Sequence, residues 1–228
     1  MAGQMPPAAD PQREQPAQTK SPFLMTKMNS IACALGRLAA IVWLLFPHLV
    51  HAGAPTDQVR ATADKVLEIL NDPELASQAA KEERRNRLRQ VIYPRFDFAE
   101  MARRSLGSNW RRITAEEQRE FVKLFTEMLE QAYVNNIESY RGERIVYGRE
   151  IQEHDFSEVD TEIITPRGEE IAVNYRLQRL DGEWKVYDVV IENVSLVNNY
   201  RSQFSRFLAA ASFEELLDKI REKIGTSP

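Results

Sequence analysis

The feature that most constrains the fold is a change of hydrophobic period near Gly142. Before this glycine, apolar residues recur every three or four positions, which is typical of amphipathic helices. After it, apolar and polar residues alternate, which indicates strands with one apolar and one polar face. The pair Asp181-Gly182 separates two such stretches and is a strong signal for a β-hairpin. The sequence therefore predicts an α+β fold in which an antiparallel sheet packs against several helices.

Capping and turn residues set the predicted boundaries of these elements. Asp72-Pro73 stops the first helix. Thr114 and Glu117 form a capping box that opens the longest helix, and Ser195 stands at the N-cap of the helix after the sheet. Helices are predicted over residues 56–71, 74–91, 98–106, 115–137, 196–210 and 213–224. About four strands are predicted, over residues 143–152, 158–165, 169–180 and 183–191. The last two helices are expected to cover the apolar face of the sheet.

The stretch from Val186 to Phe204 joins the two kinds of structure. Its first part is β-branched and apolar at neighbouring positions, which predicts a strand covered on both faces. Its second part begins an amphipathic helix whose apolar stripe includes Tyr200, Phe204 and Phe207. A covered strand that leads into an aromatic helix fits either ordinary core or one wall of an apolar cavity.

The first 54 residues are predicted to precede the folded region. Residues 1–24 are rich in Pro, Ala and Gln without an apolar period, which predicts a disordered extension or a misassigned start. Residues 25–54 combine basic residues, a short apolar run and small residues before Ala54, which predicts a cleavable signal peptide. The alternative is an uncleaved N-terminal anchor, although the run is short of the roughly 20 residues of a spanning helix. Cleavage leaves an exported domain over residues 55–228.

Composition argues against several classes of site. The formal net charge of -4 gives no reason to expect nucleic acid as a partner. Cys33 is the only cysteine, and His154 is the only histidine after residue 54, so neither a Cys/His zinc site nor a cysteine nucleophile is expected. The scattered glycines form no phosphate-binding loop. Asp188, inside an apolar strand, is expected to pair with an arginine or a backbone N–H. The alternative is a small hydrolase that uses Asp188 or His154. We therefore do not expect this protein to be an enzyme.

Three segments carry a family resemblance. They are RFDFAEMARRSLGSNWRRIT (95–114), IAVNYRL (171–177) and GEWKVYDVVIENVSLVNNYRSQF (182–204). Together they resemble the toluene-tolerance family, the periplasmic phospholipid-binding shuttles of the Mla lipid-transport pathway. The similarity extends over about residues 57–225. The chain departs from the family pattern in its long polar N-terminal extension and at Asn193, where a glycine is expected.

The resemblance implies a twisted sheet packed against helices, somewhat like nuclear-transport-factor domains, with a hydrophobic cavity between the two layers. It implies a periplasmic carrier that binds phospholipid as cargo, uses no cofactor or metal, and maintains outer-membrane lipid asymmetry. The implied partners are an inner-membrane ABC transporter with an MCE-type subunit and an outer-membrane lipoprotein associated with a porin.

The resemblance also implies that some of the apolar faces line the cavity. The lipid-binding candidates are Phe121, Phe125, Leu129, Tyr133, Val173, Tyr175, Val189, Ile191, Leu196 and Tyr200. The candidates for head-group or partner contact are Arg103, Arg104, Arg111 and Arg112. The alternative is an exported interaction or scaffold module of the same fold, with a solid core and no ligand.

Overall fold

The computed structural model describes residues 55–140 and 142–225. The predicted extension and signal peptide, residues 1–54, lie outside this part of the chain. The helices are α1 (Pro55–Asn71), α2 (Lys81–Ile92), α3 (Phe98–Leu106), α4 (Ala115–Glu138), α5 (Leu196–Leu208) and α6 (Phe213–Gly225). The strands are β1 (Arg144–Glu153), β2 (Phe156–Ile164), β3 (Glu170–Leu180), β4 (Glu183–Ile191) and β5 (Val194–Ser195). None of the helices in these two ranges is long and apolar enough to cross a membrane.

The predicted caps form as hydrogen bonds. The Thr114 hydroxyl accepts from the Glu117 backbone N–H at 3.2 Å, and the Glu117 carboxylate accepts from the Thr114 N–H at 2.7 Å. This confirms the capping box of α4. Ser195 caps α5 by accepting from the Asn198 N–H at 3.0 Å. The elements whose end signals are clear in the sequence therefore begin and end close to where they are predicted.

The predicted second helix is wrong in its first half. Asp72 accepts from the Glu74 N–H at 2.9 Å, and Ser77 accepts from the Ala80 N–H at 3.2 Å. Two caps within a few residues stop a continuous helix from forming, because each requires an extended residue at the cap position. The intervening residues form the 3-10 turns Pro73–Leu75 and Gln78–Ala80.

The five strands form one antiparallel sheet in the order β1-β2-β3-β4-β5. Residues that pair across strands lie on the same face, so Thr161, Val173 and Ile191 share one face. Arg176 pairs with Asp188 on the opposite, polar face. The fifth strand is a two-residue addition that the sequence did not indicate. The predicted meander with one apolar and one polar face is confirmed.

Buried apolar residues form two separate clusters. The helix cluster joins α3 to α6 and comprises Met101, Ala102, Leu106, Phe121, Phe125, Met128, Leu129, Val197, Tyr200, Phe204, Leu216, Leu217 and Ile220. The sheet cluster comprises Val59 of α1 with Val159, Val173, Leu177, Trp184, Val186 and Val189. Phe96 packs against both clusters. The molecule therefore has a helical layer and a sheet layer, each with its own core.

The last two helices do not cover the sheet in the way that the sequence suggested. α6 packs on α4, and its buried residues belong to the helix cluster. Within the described residues it is Val59 of α1 that is buried in the sheet cluster, while Leu196 at the start of α5 packs against it from the other side. Amphipathicity shows that a helix has an apolar face but does not show which layer that face meets.

Candidate functional site

Between the two clusters lies a set of apolar side chains that are only half-buried. They pack against one cluster or the other yet keep accessible surface, and we call them the interlayer residues. They are Tyr133, Tyr147, Ile163, Ile171, Tyr175, Ile191 and Leu196. In a continuous close-packed core, apolar side chains at such central positions lose nearly all of their exposed surface. These seven positions are therefore not part of a continuous close-packed core.

Tyr175 shows that this accessible surface does not face bulk water. Burial raises the pKa of Tyr175 to about 12, with a smaller contribution from nearby Tyr147. A phenol in open solvent ionises near 10. Tyr175 is nevertheless only half-buried by its exposed fraction. A half-buried phenol in desolvated surroundings is one feature that a cavity wall would have.

Four of the predicted lipid-binding residues lie inside the helix cluster. Phe121 and Phe125 have no exposed surface, and Leu129 and Tyr200 are buried. The Phe125 ring meets Tyr200 edge-on with the ring centroids 5.4 Å apart and stacks with Phe121 at 5.7 Å. These side chains form the solid backing of the helical layer.

The other six predicted lipid-binding residues belong to the sheet cluster or border it, except Tyr133, which borders the helix cluster. Val173 and Val189 are buried in the sheet cluster. Tyr175, Ile191, Leu196 and Tyr133 are half-buried interlayer residues. Burial raises the pKa of Tyr133, whose side chain is close enough to Tyr200 to raise the pKa of the latter. Half-buried residues of this set thus come from β3, β4, α4 and α5.

Sequence reasoning missed three interlayer residues, Tyr147, Ile163 and Ile171. Thr161 and Ile163 alternate along β2, and Ile163 pairs with Ile171 across the sheet. The signal was present in the alternation of β1 and β2.

The four predicted head-group or partner arginines fall into two pairs. Arg103 and Arg104 both donate to Glu100, at 2.6 and 2.7 Å, and Arg104 also lies 4.2 Å above the ring of Tyr187. Burial alone would raise the pKa of Glu100, but these two guanidinium groups lower it below its usual range. Arg111 and Arg112 are exposed, and neither forms an ion pair with a residue of the described part.

Asp188 is a structural carboxylate. It accepts from Arg176 at 3.2 Å, from the Ser195 hydroxyl at 2.6 Å and from the Val197 backbone N–H at 3.1 Å. The interpretation that it pairs with an arginine and a backbone N–H is confirmed. These contacts join β3 and β4 to the N-terminus of α5, where a negative charge is favourable.

His154 lies exposed in the turn between β1 and β2, with a left-handed backbone φ of 54°. Asp188 by contrast is buried, with an exposed fraction of 3%. The described ranges hold no group of His, Cys, Asp and Glu side chains that could bind a metal ion.

A cleft of about 560 Å³ opens on the far side of α4, between α4 and α2. Its wall is mostly polar and charged, and includes Arg85, Arg89, Lys123, Glu127 and Glu130. None of the predicted lipid-binding residues lines it. Acyl chains require an apolar wall, so this cleft is distinct from the space that the interlayer residues enclose.

Comparison with known proteins agrees with this geometry. The sequence profile of the MlaC protein family matches residues 60–222. The chain belongs to the MlaC family. The match includes the interlayer residues, all of the predicted site residues and every member of the two clusters except Val59.

Two curated relatives share a quarter of their residues with the chain. The intermembrane phospholipid transport system binding protein MlaC of Haemophilus influenzae is 25% identical over 180 residues, which cover 74% of this chain and 81% of the relative. The toluene tolerance protein ttg2D of Pseudomonas putida is 24% identical over 174 residues, covering 75% and 81%.

One solved structure extends the comparison to three dimensions. The phospholipid-binding protein of Ralstonia solanacearum, determined in complex with a phospholipid, superposes with a TM-score of 0.68 at 25% identity. The match covers 76% of this chain and 98% of the Ralstonia protein. Nearly the whole of a protein that holds a phospholipid therefore shares this fold.

Proposed function

We propose that the protein is a phospholipid-binding transport protein of the periplasm. The observation that carries this proposal is the fold shared with a relative that was solved with phospholipid bound, in a chain whose sheet cluster is flanked by half-buried apolar residues. We propose that the acyl chains occupy a gap between the two layers. In our proposal it carries one phospholipid between an inner-membrane ABC transporter with an MCE-type subunit and an outer-membrane lipoprotein–porin complex. No covalent step is part of this function.

The energetics of a phospholipid favour an enclosed site over a surface patch. Two acyl chains contain about 30 methylene groups, whose transfer out of water is worth about 24 kcal/mol at about 0.8 kcal/mol each. A similar free energy is lost when the lipid leaves a membrane, so a carrier has to enclose nearly all of both chains. Branched and aromatic side chains contributed by a sheet and by helices can do this.

We propose that all ten predicted lipid-binding residues contribute to the wall, at two depths. Tyr133, Tyr175, Ile191 and Leu196 face the acyl chains, because they keep accessible surface. The buried residues of the set support this wall from behind and fix its shape.

Arg111 and Arg112 are the better candidates for contact with a head-group phosphate or an acidic partner. Their guanidinium groups are exposed, whereas those of Arg103 and Arg104 already bind Glu100. A planar guanidinium donates paired hydrogen bonds to phosphate or carboxylate, and a group without a competing carboxylate loses nothing by doing so.

Native mass spectrometry of the exported protein tests the proposal directly. We expect a bound species of phospholipid mass, either co-purified or acquired from liposomes. Protein that stays ligand-free after incubation with liposomes would instead favour the solid-core scaffold.

A substitution at the proposed gap tests where the acyl chains lie. Ile191→Trp adds volume at a half-buried interlayer position and should reduce lipid loading several-fold, while the free energy of unfolding changes by less than about 1 kcal/mol. Ile151→Trp is the matched control, because Ile151 is 41% exposed on the polar face of the sheet. Equal loading by the two variants would contradict the placement of the acyl chains.

A further inference from the structure

The segment formed by α1 and α2 is fixed to the sheet at its beginning. The backbone N–H of Thr56 donates to Glu150 of β1 at 2.9 Å. Gln58 accepts from the Trp184 N–H at 3.0 Å, and Arg60 lies 4.1 Å above the ring of Tyr147. The first turns of α1 are therefore joined to β1 and β4 by polar contacts, to which the burial of Val59 adds an apolar one.

The same segment is fixed again just after its end. Phe96 pairs with Val186 of β4 as an isolated parallel bridge, and the Asp97 N–H donates to the Val186 carbonyl at 2.8 Å. Gln178 of β3 donates to the Asp97 carboxylate at 2.8 Å. Residues 61–92 thus lie between two anchored points.

Between these anchors, α2 is held to α4 by charged side chains. Arg84 and Arg85 donate to the two oxygens of Glu138, at 2.8 and 2.9 Å. Arg89 donates to Glu130 at 2.7 Å, and the Tyr93 hydroxyl donates to the same carboxylate at 2.5 Å. We call this set of contacts the α2–α4 latch.

Apolar packing contributes little to the same attachment. Leu75 and Leu88 are the buried residues of the stretch between the two anchors, and neither belongs to the helix cluster or the sheet cluster. The polar cleft of about 560 Å³ separates α2 from α4 where the latch residues Arg85, Arg89 and Glu130 line it. On α1, the apolar side chains beyond Val59 are only half-buried; they are Val66, Leu67, Ile69 and Leu70.

This contrast has a physical consequence. An apolar contact separates only by exposing area to water, which costs free energy in proportion to that area. The ion pairs of the latch range from the largely buried Glu138 side chain, 8% exposed, to that of Arg89, 36% exposed. When they separate, both charges regain water, which offsets much of the lost attraction, and salt weakens that attraction further. A segment anchored at both ends and held in the middle by ion pairs can therefore move away from α4 without disrupting either core.

We propose that residues 61–92 form a gate to the space between the two layers and that the α2–α4 latch keeps the gate closed. This inference rests on the proposed function. Opening the latch widens the path by which acyl chains pass between α1 and α4. Ionic strength then controls the rate of lipid exchange but not the final occupancy, because the latch residues do not contact the lipid.

The test is the rate of transfer of a fluorescent phospholipid from neutral phosphatidylcholine vesicles to the protein. Neutral vesicles are used so that salt acts on the protein rather than on a charged membrane. We expect the wild type to exchange lipid faster as salt is raised. Glu130→Gln/Glu138→Gln removes the three ion pairs that the latch arginines make with these two carboxylates. The variant should exchange lipid on the order of tenfold faster at low salt and should lose the salt dependence.

Glu120→Gln is the matched control. It removes an ion pair of α4 on another side, with Arg221 of α6, and should leave both the rate and its salt dependence unchanged. The charge swap Arg89→Glu/Glu130→Arg restores opposite charges across the cleft and should exchange lipid more slowly than Glu130→Arg alone. Amide hydrogen exchange over residues 61–92 should accelerate in the double Gln variant, with β3 and β4 unchanged.

The outcomes separate the gate from the carrier. A double Gln variant that binds lipid with wild-type rate and salt dependence overturns the gate and leaves the carrier standing. Unchanged hydrogen exchange over residues 61–92 also overturns the gate. A wild-type protein that takes up no lipid overturns the proposed function and the gate together.

Discussion

The helical layer and the sheet layer bury apolar residues in different ways. In the helix cluster the rings of Phe121, Phe125, Tyr200 and Phe204 contact one another with centroid separations from 5.4 to 6.1 Å, and all four are buried. The sheet cluster is flanked by six half-buried interlayer residues, of which Tyr175 is desolvated but accessible. A layer that packs against itself can leave the space beside it unfilled. The comparison suggests that the solid helical core makes a stable open gap possible.

The test with the largest expected effect removes an aromatic ring from the helix cluster. Phe125→Ala should lower the free energy of unfolding by about 3–5 kcal/mol, because it leaves a cavity among close-packed rings. Chemical denaturation of the lipid-free protein measures the change. The same substitution at Phe156, which is 47% exposed on the polar face of the sheet, should cost less than about 1 kcal/mol. Similar costs at both positions would contradict a solid helical core.

A second test concerns the joint between the layers. Asp188→Asn should lower the free energy of unfolding by about 2 kcal/mol, because the buried carboxylate accepts hydrogen bonds from Arg176, Ser195 and the Val197 N–H. Glu158→Gln is the control, since Glu158 binds the same arginine at 3.0 Å but is half-exposed and should contribute less than about 1 kcal/mol. Thermal unfolding of both variants decides whether burial, rather than the shared arginine, sets the cost.

A third test compares a half-buried and a fully buried position within the sheet layer. Ile191→Ala should lower the free energy of unfolding of the lipid-free protein by about 1 kcal/mol, because part of the side chain is already exposed to the proposed gap. Leu177 lies on the same apolar face of the sheet but has an exposed fraction of 1%. Leu177→Ala should lower the free energy of unfolding by about 2–5 kcal/mol. If denaturant unfolding gives equal costs, the gap is closed in solution and the comparison fails.

The smallest expected effect is a pH dependence of the α2–α4 latch. Burial alone would raise the pKa of Glu130, but hydrogen bonds from Arg89 and Tyr93 lower it below its ordinary value of 4.5. A carboxyl with a lowered pKa in the folded state stabilises the protein above the unfolded pKa, and the contribution is lost as pH falls through the folded pKa. The difference in unfolding free energy between wild type and Glu130→Gln should therefore be present at pH 6 to 7 and shrink below about pH 4.5. A difference that is constant from pH 7 to pH 3 would contradict the ion pair.

Much of the fold could be predicted because its signals are local. Asp97 and Gly107 bound α3, and Thr114 with Glu117 opens α4 where the capping box predicts it. The failure at the second helix has the same origin, since the cap Ser77 was treated as a helical residue. The candidate site was harder to predict. Phe121 and Ile191 both stand on apolar faces in the sequence, yet one is fully enclosed and the other borders the gap.

The sequence by itself determined the kinds of element, their order, the apolar face of each and the family to which the chain belongs. Those properties follow from the period of the apolar residues, from caps and from turns, all of which act over a few neighbouring positions. Only the tertiary structure decided which apolar residues are buried in a core and which stay half-buried beside it. It also decided that the arginines of α2 meet Glu130 and Glu138 across a polar cleft. The physical reason is that the distance between two layers depends on contacts between residues far apart in the chain, and no local pattern records that distance.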